Sequence, residues 1–107
     1  MSVFNELHGI VLDRRTEFEE GSYTCYLFSK GLDKILKKCG EECTEMVIAA
    51  KNGDNAELKN EISDLLYHIM VLCAERGLDF SEVEAELRER TAKIGNLKNM
   101  RETNKNT

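Results

Sequence analysis

Apolar residues recur along this chain at the three- and four-residue spacing that turns one face of an α-helix toward a core, and they mark out five helical segments. Val3, Phe4, Leu7, Ile10 and Val11 predict a first helix over 2–18. The stretch EEGSYT over 19–24 interrupts it, with Gly21 as the break and Ser22 or Thr24 as possible caps. A short turn follows through Leu27 and Phe28 to Gly31. The third segment, over 32–52, carries Leu32, Ile35, Leu36, Cys39, Cys43, Met46, Val47 and Ala50, a stripe sustained over five turns.

Gly53 stops that helix, and Asp54 with Glu57 forms a D-x-x-E capping box that opens a fourth over 55–76, closed by Gly77. Its second half, LLYHIMVLCA, is apolar on nearly every side. A helix without a polar face has to be covered all round, so a second subunit is expected against it, in a homodimer or higher homo-oligomer. Ser81 with Glu84 reads as the capping box of a last helix through Val83 and Leu87. The pattern therefore gives one all-α domain over 1–95, a helical bundle completed by dimerisation, and a polar tail over 96–107.

Composition narrows this picture. The 107 residues include no proline and few β-branched residues, which disfavours sandwiches and barrels and suits uninterrupted helices. A net charge of −5 argues against a nucleic-acid surface, which needs a basic face, but leaves room for a polyphosphate ligand held through a metal ion. The longest apolar run, over 65–74, contains His68 and is too short to span a bilayer, and the first twenty residues lack a signal-like apolar core, so neither membrane nor export is expected. Cys25, Cys39, Cys43 and Cys73 include no C-x-x-C pair, and Cys39 and Cys43 lie one turn apart in an apolar stripe; they read as reduced core residues of a cytoplasmic protein.

The candidate chemistry lies in the acids flanking Gly53. Segments three and four must form an antiparallel hairpin because their connection is so short, and residues equidistant from Gly53 then share a height. Glu45 and Glu61 each stand eight residues away, and Glu42 and Asp64 eleven, giving two layers about 4.5 Å apart along the axis. Glu42 falls about 80° from the centre of the apolar stripe, and Glu61, Asp64 and His68 share one strip of the fourth helix. Carboxylates crowded in this way either protonate or hold a cation, and an all-oxygen set suits Mg²⁺ or Mn²⁺. The alternative is plain: twenty acidic residues on five helices make many such pairs by chance, most of them solvated beside lysines such as Lys37 and Lys38.

Gly21-Ser22-Tyr23-Thr24, Leu27, Gly31, Lys37-Lys38-Cys39-Gly40-Glu41-Glu42 with Glu45, Ala49-Ala50-Lys51 and Glu61-x-x-Asp64-Leu65-Leu66-Tyr67-His68 occur in that order, and the chain so resembles the phosphoribosyl-ATP pyrophosphatases of histidine biosynthesis, within the MazG-like all-α nucleotide pyrophosphohydrolases. The resemblance spans about 7–87, and chains of this length look like the stand-alone form rather than a fusion to a cyclohydrolase. It implies Mg²⁺-dependent hydrolysis of the α–β phosphoanhydride of a small nucleotide substrate, phosphoribosyl-ATP. By motif it implies Glu42, Glu45, Glu61 and Asp64 as the metal-binding set, the four that the hairpin register also selects. It adds Glu41 as a fifth acid, either an outer group around the ion or one that helps orient water, and leaves Glu41 and Glu42 as the two candidates for orienting the attacking water.

Around these acids, Lys38 and Lys34 would meet phosphate oxygens, or merely pair within their helix. His68 reads either as a ligand or as a satisfied core histidine, and Ser22 and Tyr23 stand at a helix start able to receive a phosphate. Gly40, inside a helix at a cost of about 1 kcal/mol, suggests close approach of a neighbour or of substrate. Two other functions share parts of this pattern: a MazG-like enzyme for other nucleoside triphosphates, and a non-catalytic helical dimerisation module.

Overall fold

The computed structural model describes residues 2–94, and among these it forms five α-helices and no strand: α1 (Val3–Thr16), α2 (Tyr23–Lys30), α3 (Leu32–Lys51), α4 (Asn55–Arg76) and α5 (Phe80–Ile94). The polar tail expected over 96–107 lies outside the described residues. No helix among the described residues is long and apolar enough to cross a membrane.

The caps explain the boundaries. Asp54 accepts a hydrogen bond from the Glu57 N–H at 3.0 Å and starts α4 as expected, while Gly77, at φ 72° in the left-handed region, ends it. Gly53, at φ 73°, makes the reversal between α3 and α4 in three residues, and those two helices form the most extensive pairing in the molecule. The expected turn through Leu27 and Phe28 is an eight-residue helix instead, because the Ser22 hydroxyl accepts the Cys25 N–H at 3.2 Å and starts it early. The expected cap at Ser81 is also corrected. Asp79 accepts the Ser81 N–H through Oδ1 at 2.9 Å and the Glu82 N–H through its carbonyl at 2.9 Å, so α5 begins two residues sooner.

The core forms where α1, α2 and α3 close over the second half of α4. Val11, Leu27, Ile35, Val71 and Ala74 make one fully buried cluster; Met70, Cys73 and Phe80 make another, with Phe4 and Leu7 of α1 packed on it. Each such aliphatic side chain contributes about 1.5–3 kcal/mol by leaving water. A single chain thus buries His68, Met70, Val71, Cys73 and Ala74, much of the run for which a second subunit was expected.

On α3 the apolar stripe does not face inward as expected. The buried positions are Ile35, Glu42 and Ala49, whereas Leu36, Cys43, Val47 and Ile48 are exposed. The helix turns a mixed face, with Glu42 at its centre, toward the hairpin interior and leaves an apolar face uncovered. Cys43 is therefore a surface residue rather than a core one, while all four cysteines are free thiols as expected. A Cβ on Gly40 would meet nothing within 4 Å among the described residues, so none of these accounts for a glycine there.

Candidate active site

Helix register places the site. One oxygen each from Glu42, Glu45 and Glu61 gathers within 4.8 Å of the others, two from α3 and one from across the hairpin. Glu42 is 6% exposed. Its Oε2 and that of Glu61 are buried without a hydrogen-bond partner, an expensive state for carboxylates that a cation would relieve. Desolvation, with the carboxylates of Glu45, Glu57 and Glu42 crowding it, pushes the Glu61 carboxyl from its ordinary 4.5 up to about 7. Hard oxygen donors, crowding and orphaned oxygens together fit a divalent ion such as Mg²⁺. Beside them opens a cleft of about 330 Å³ bordered by Glu45, Asn52, Glu57 and Glu61.

Asp64 does not join this cluster. It shares the height of Glu42, but its side chain is exposed, and what it supplies is its backbone carbonyl, which accepts from His68 Nδ1 at 2.7 Å. A carbonyl only accepts, so Nδ1 carries the proton, and in the neutral ring Nε2 is left to accept the Tyr23 hydroxyl at 3.1 Å. His68 is thus buried with both ring nitrogens engaged. Sequence spacing gave two readings of it, core residue or ligand. The structure makes it a fixed core residue that holds a site tyrosine.

Lys38 sits between the two groups. Its ammonium lies 3.4 Å from Glu41 Oε1 and 3.6 Å from Glu42 Oε1. Burial pulls its pKa down, but Tyr23, Glu41 and Glu42 outweigh this and hold it above the ordinary lysine value. Desolvation raises Tyr23 above the ordinary tyrosine value, with Lys38 opposing and Glu42 assisting, so its hydroxyl keeps the proton it donates. Glu41, on the outer side of Lys38, is exposed and lies outside the three-carboxylate cluster. Lys34 is half-buried and makes no ion pair among the described residues. Ser22 uses its hydroxyl to cap α2. Tyr67 and Thr24, which sequence reasoning did not single out as site residues, hydrogen-bond through their hydroxyls and tie α2 to α4 behind Tyr23. The signal was present, since both lie within the quoted motifs.

Read outward from Gly53, the hairpin carries carboxylates first (Glu45 and Glu61, then Glu42) and next Lys38 opposite His68, each fifteen residues from the glycine. Successive layers are about 4.5–6 Å apart. That order of charges suits a chain of phosphates lying along the groove, anionic groups bridged to the carboxylates by a cation and met directly by an ammonium. A larger groove of about 540 Å³, lined by Leu32, Leu36, Leu72 and Leu78, lies at the other end of the hairpin and offers such a ligand little beyond Arg76.

Residues 4–91 match the profile of the phosphoribosyl-ATP pyrophosphohydrolase family. Among curated proteins the chain is similar to a phosphoribosyl-ATP pyrophosphatase of Clostridium botulinum, 54% identical over 102 residues that cover 95% of this chain and 93% of the relative. It is similar to that of Listeria monocytogenes at 51% over 102 residues, 95% and 98% of the two chains. The Lactiplantibacillus plantarum counterpart is 49% identical over 98 residues, 92% of each.

Proposed function

The chain belongs to the phosphoribosyl-ATP pyrophosphohydrolase family, and from that premise we propose that it hydrolyses phosphoribosyl-ATP to phosphoribosyl-AMP and pyrophosphate, a step of histidine biosynthesis, at the groove between α3 and α4. The observation that carries the site is the meeting of Glu42, Glu45 and Glu61 with two buried, unpartnered oxygens. These three would hold Mg²⁺, or Mn²⁺ in its place, with Asp64 joining them only after its exposed side chain turns inward. When bound, the ion neutralises phosphate oxygens and acidifies water.

The protein's own groups do the rest. Lys38, already within 4 Å of Glu41 and Glu42, meets the negative charge that grows on the phosphate oxygens. Glu41, the carboxylate outside the cluster, orients the attacking water and takes its proton as oxygen bonds to phosphorus and pyrophosphate departs. Glu42, enclosed and bridging to Lys38, is committed to the cation. His68 fixes the Tyr23 hydroxyl at the edge of the groove, where Tyr23 binds substrate. Ser22, whose hydroxyl caps α2, positions Tyr23 at the start of that helix, and Lys34 lies one turn from Lys38 as a further cation for the substrate.

A second copy covers the face that α3 leaves open. Leu36, Val47 and Ile48 are about half exposed, Ile62 of α4 is 40% exposed, and Gly40 lies within this face with space above it. A homodimer through this face would also repay the cost of that glycine. Four free thiols are consistent with a reducing cytoplasm.

Pyrophosphate release from phosphoribosyl-ATP, measured with Mg²⁺ and with chelator beside a panel of ordinary nucleoside triphosphates, tests the proposal. Mg²⁺-dependent turnover with preference for phosphoribosyl-ATP is expected. Preference for dCTP or dUTP would move the chain to another nucleotide, and no turnover of any would favour the dimerisation module.

A further inference from the structure

Three aromatic rings remain outside the core and outside the reaction groups. Phe18 follows α1 at 78% exposure, and Tyr23 and Tyr26 of α2 are 44% and 41% exposed. Together with Gly21, Ser22 and Ser29 these rings line a cleft of about 430 Å³, within the size range of small-ligand pockets. The rings of Tyr23 and Tyr26 are stacked with centroids 6.0 Å apart. Phe18 is largely left in water by this chain, so its apolar ring is available to a ligand in the cleft that it lines.

Tyr23 joins this cleft to the reaction groups. Its ring lines the cleft, while its hydroxyl bonds to His68 at the end of the charged layers. The charges and the aromatic rings therefore follow one another: the carboxylates, Lys38 beside Glu42, Tyr23 within reach of the Lys38 charge, then the cleft. A nucleotide has the same sequence of chemistry, with its phosphates at one end and a flat, π-faced ring at the other. Lys30, with Nζ 5.8 Å from the centre of the Tyr26 ring, adds a cation beside the cleft for an anionic substituent on that ring.

We infer that the cleft of Phe18, Tyr23 and Tyr26 is the base subsite, which stacks the purine of the nucleotide while its phosphates lie toward Lys38 and the carboxylates. The inference rests on the nucleotide reading above and assigns to Phe18 and Tyr26 a binding role that the core does not require of them. Stacking on an aromatic side chain is insensitive to the edge of the base, so substrate choice has to come from groups beyond the rings, and binding strength from the rings themselves.

Two measurements decide it. The wild type has three tyrosines and no tryptophan, and two of the three line the cleft, so tyrosine fluorescence responds to a ligand there. AMP should change this emission and bind at least about tenfold tighter than ribose 5-phosphate, which has the phosphate but no base. Equal binding of the two overturns the proposal, because recognition then needs only the phosphate. In steady-state kinetics with phosphoribosyl-ATP and Mg²⁺, Phe18→Ala and Tyr26→Ala should each raise KM about tenfold and leave kcat within about twofold. Tyr26→Phe keeps the stacking face and should restore the wild-type KM. An unchanged KM in both alanine variants overturns the subsite, as does a fall in kcat alone. Both side chains are exposed enough for the variants to fold. Failure of the wild type to hydrolyse phosphoribosyl-ATP would remove the proposed reaction, and the comparison of AMP with ribose 5-phosphate would still decide the subsite.

Discussion

Glu45 and Glu61 stand eight residues on either side of Gly53 and bring carboxylate oxygens within 4.8 Å of each other across the hairpin. Desolvation first, and then the neighbouring carboxylates of Glu45, Glu57 and Glu42, push the Glu61 carboxyl up to about 7.

Replacement of Glu61 by glutamine keeps the size and removes the charge. Activity should fall by at least about a hundredfold, the scale of losing one charged group that acts on the transition state. The far-ultraviolet circular dichroism should not change. The melt of the wild type should rise with Mg²⁺, and that of E61Q should not. Turnover near the wild-type level would falsify the assignment.

Among the described residues the Tyr23 hydroxyl is the sole partner of His68 Nε2, and His68 is 5% exposed. Tyr23→Phe leaves that nitrogen buried and unpaired, at a cost of about 1–2 kcal/mol. For a chain of this size the melting temperature should drop by roughly 4–12 °C. A melt unchanged within a degree would mean that water or a second subunit already serves His68.

Asp79 caps α5, and the Ser81 backbone and side chain, with a smaller contribution from His8 at 3.7 Å, hold its carboxyl below the ordinary aspartate value of 3.8. A depressed folded-state pKa contributes stability above the unfolded value that is lost as pH falls through the folded one. Asp79→Ala should therefore melt below the wild type at pH 7, and the difference should shrink on acidification below about pH 4. A difference that does not vary with pH would assign the effect to helix propensity and not to the charge.

Val47 is 52% exposed in one chain, so an aspartate there leaves the monomer's own core intact. Placed in an apolar interface, the same charge would be desolvated without a partner and should weaken dimerisation at least about a hundredfold. Sedimentation should find two chains for the wild type and one for V47D. Equal sedimentation of the two would move the interface elsewhere.

The hairpin was legible because its markers are local: Gly53 and Asp54 fix the turn, and without proline the helices run on in step. Height along a helix follows from counting, which is why Glu42, Glu45 and Glu61 were found together. Azimuth does not follow so simply. Asp64 has the right height and points outward, and α3 turns Glu42 inward and Val47 outward, because an apolar stripe does not declare which partner it serves. Asp79 and Ser81 are both good caps two residues apart, and only the backbone chose between them. The aromatic cleft is not legible because the apolar spacing carries the first helix on to Phe18, where the chain ends it at Thr16, and shows only a turn through Leu27 and Phe28 where α2 aligns Tyr23 with Tyr26.

The three-residue reversal at Gly53 also constrains how such a chain can change in length. One residue inserted between Glu45 and the turn, or between the turn and Glu61, would swing every acid beyond it by about 100° and slide it about 1.5 Å, dispersing the cluster at a stroke. The same insertion between α1 and α2, where six residues from Glu17 to Ser22 already bridge two helices, would displace none of the α3 and α4 acids. Descent should therefore keep the segment from Glu42 to His68 fixed in length while the joint before Tyr23 grows and shrinks, an asymmetry that insertions and deletions would reveal even where substitutions have erased the motifs.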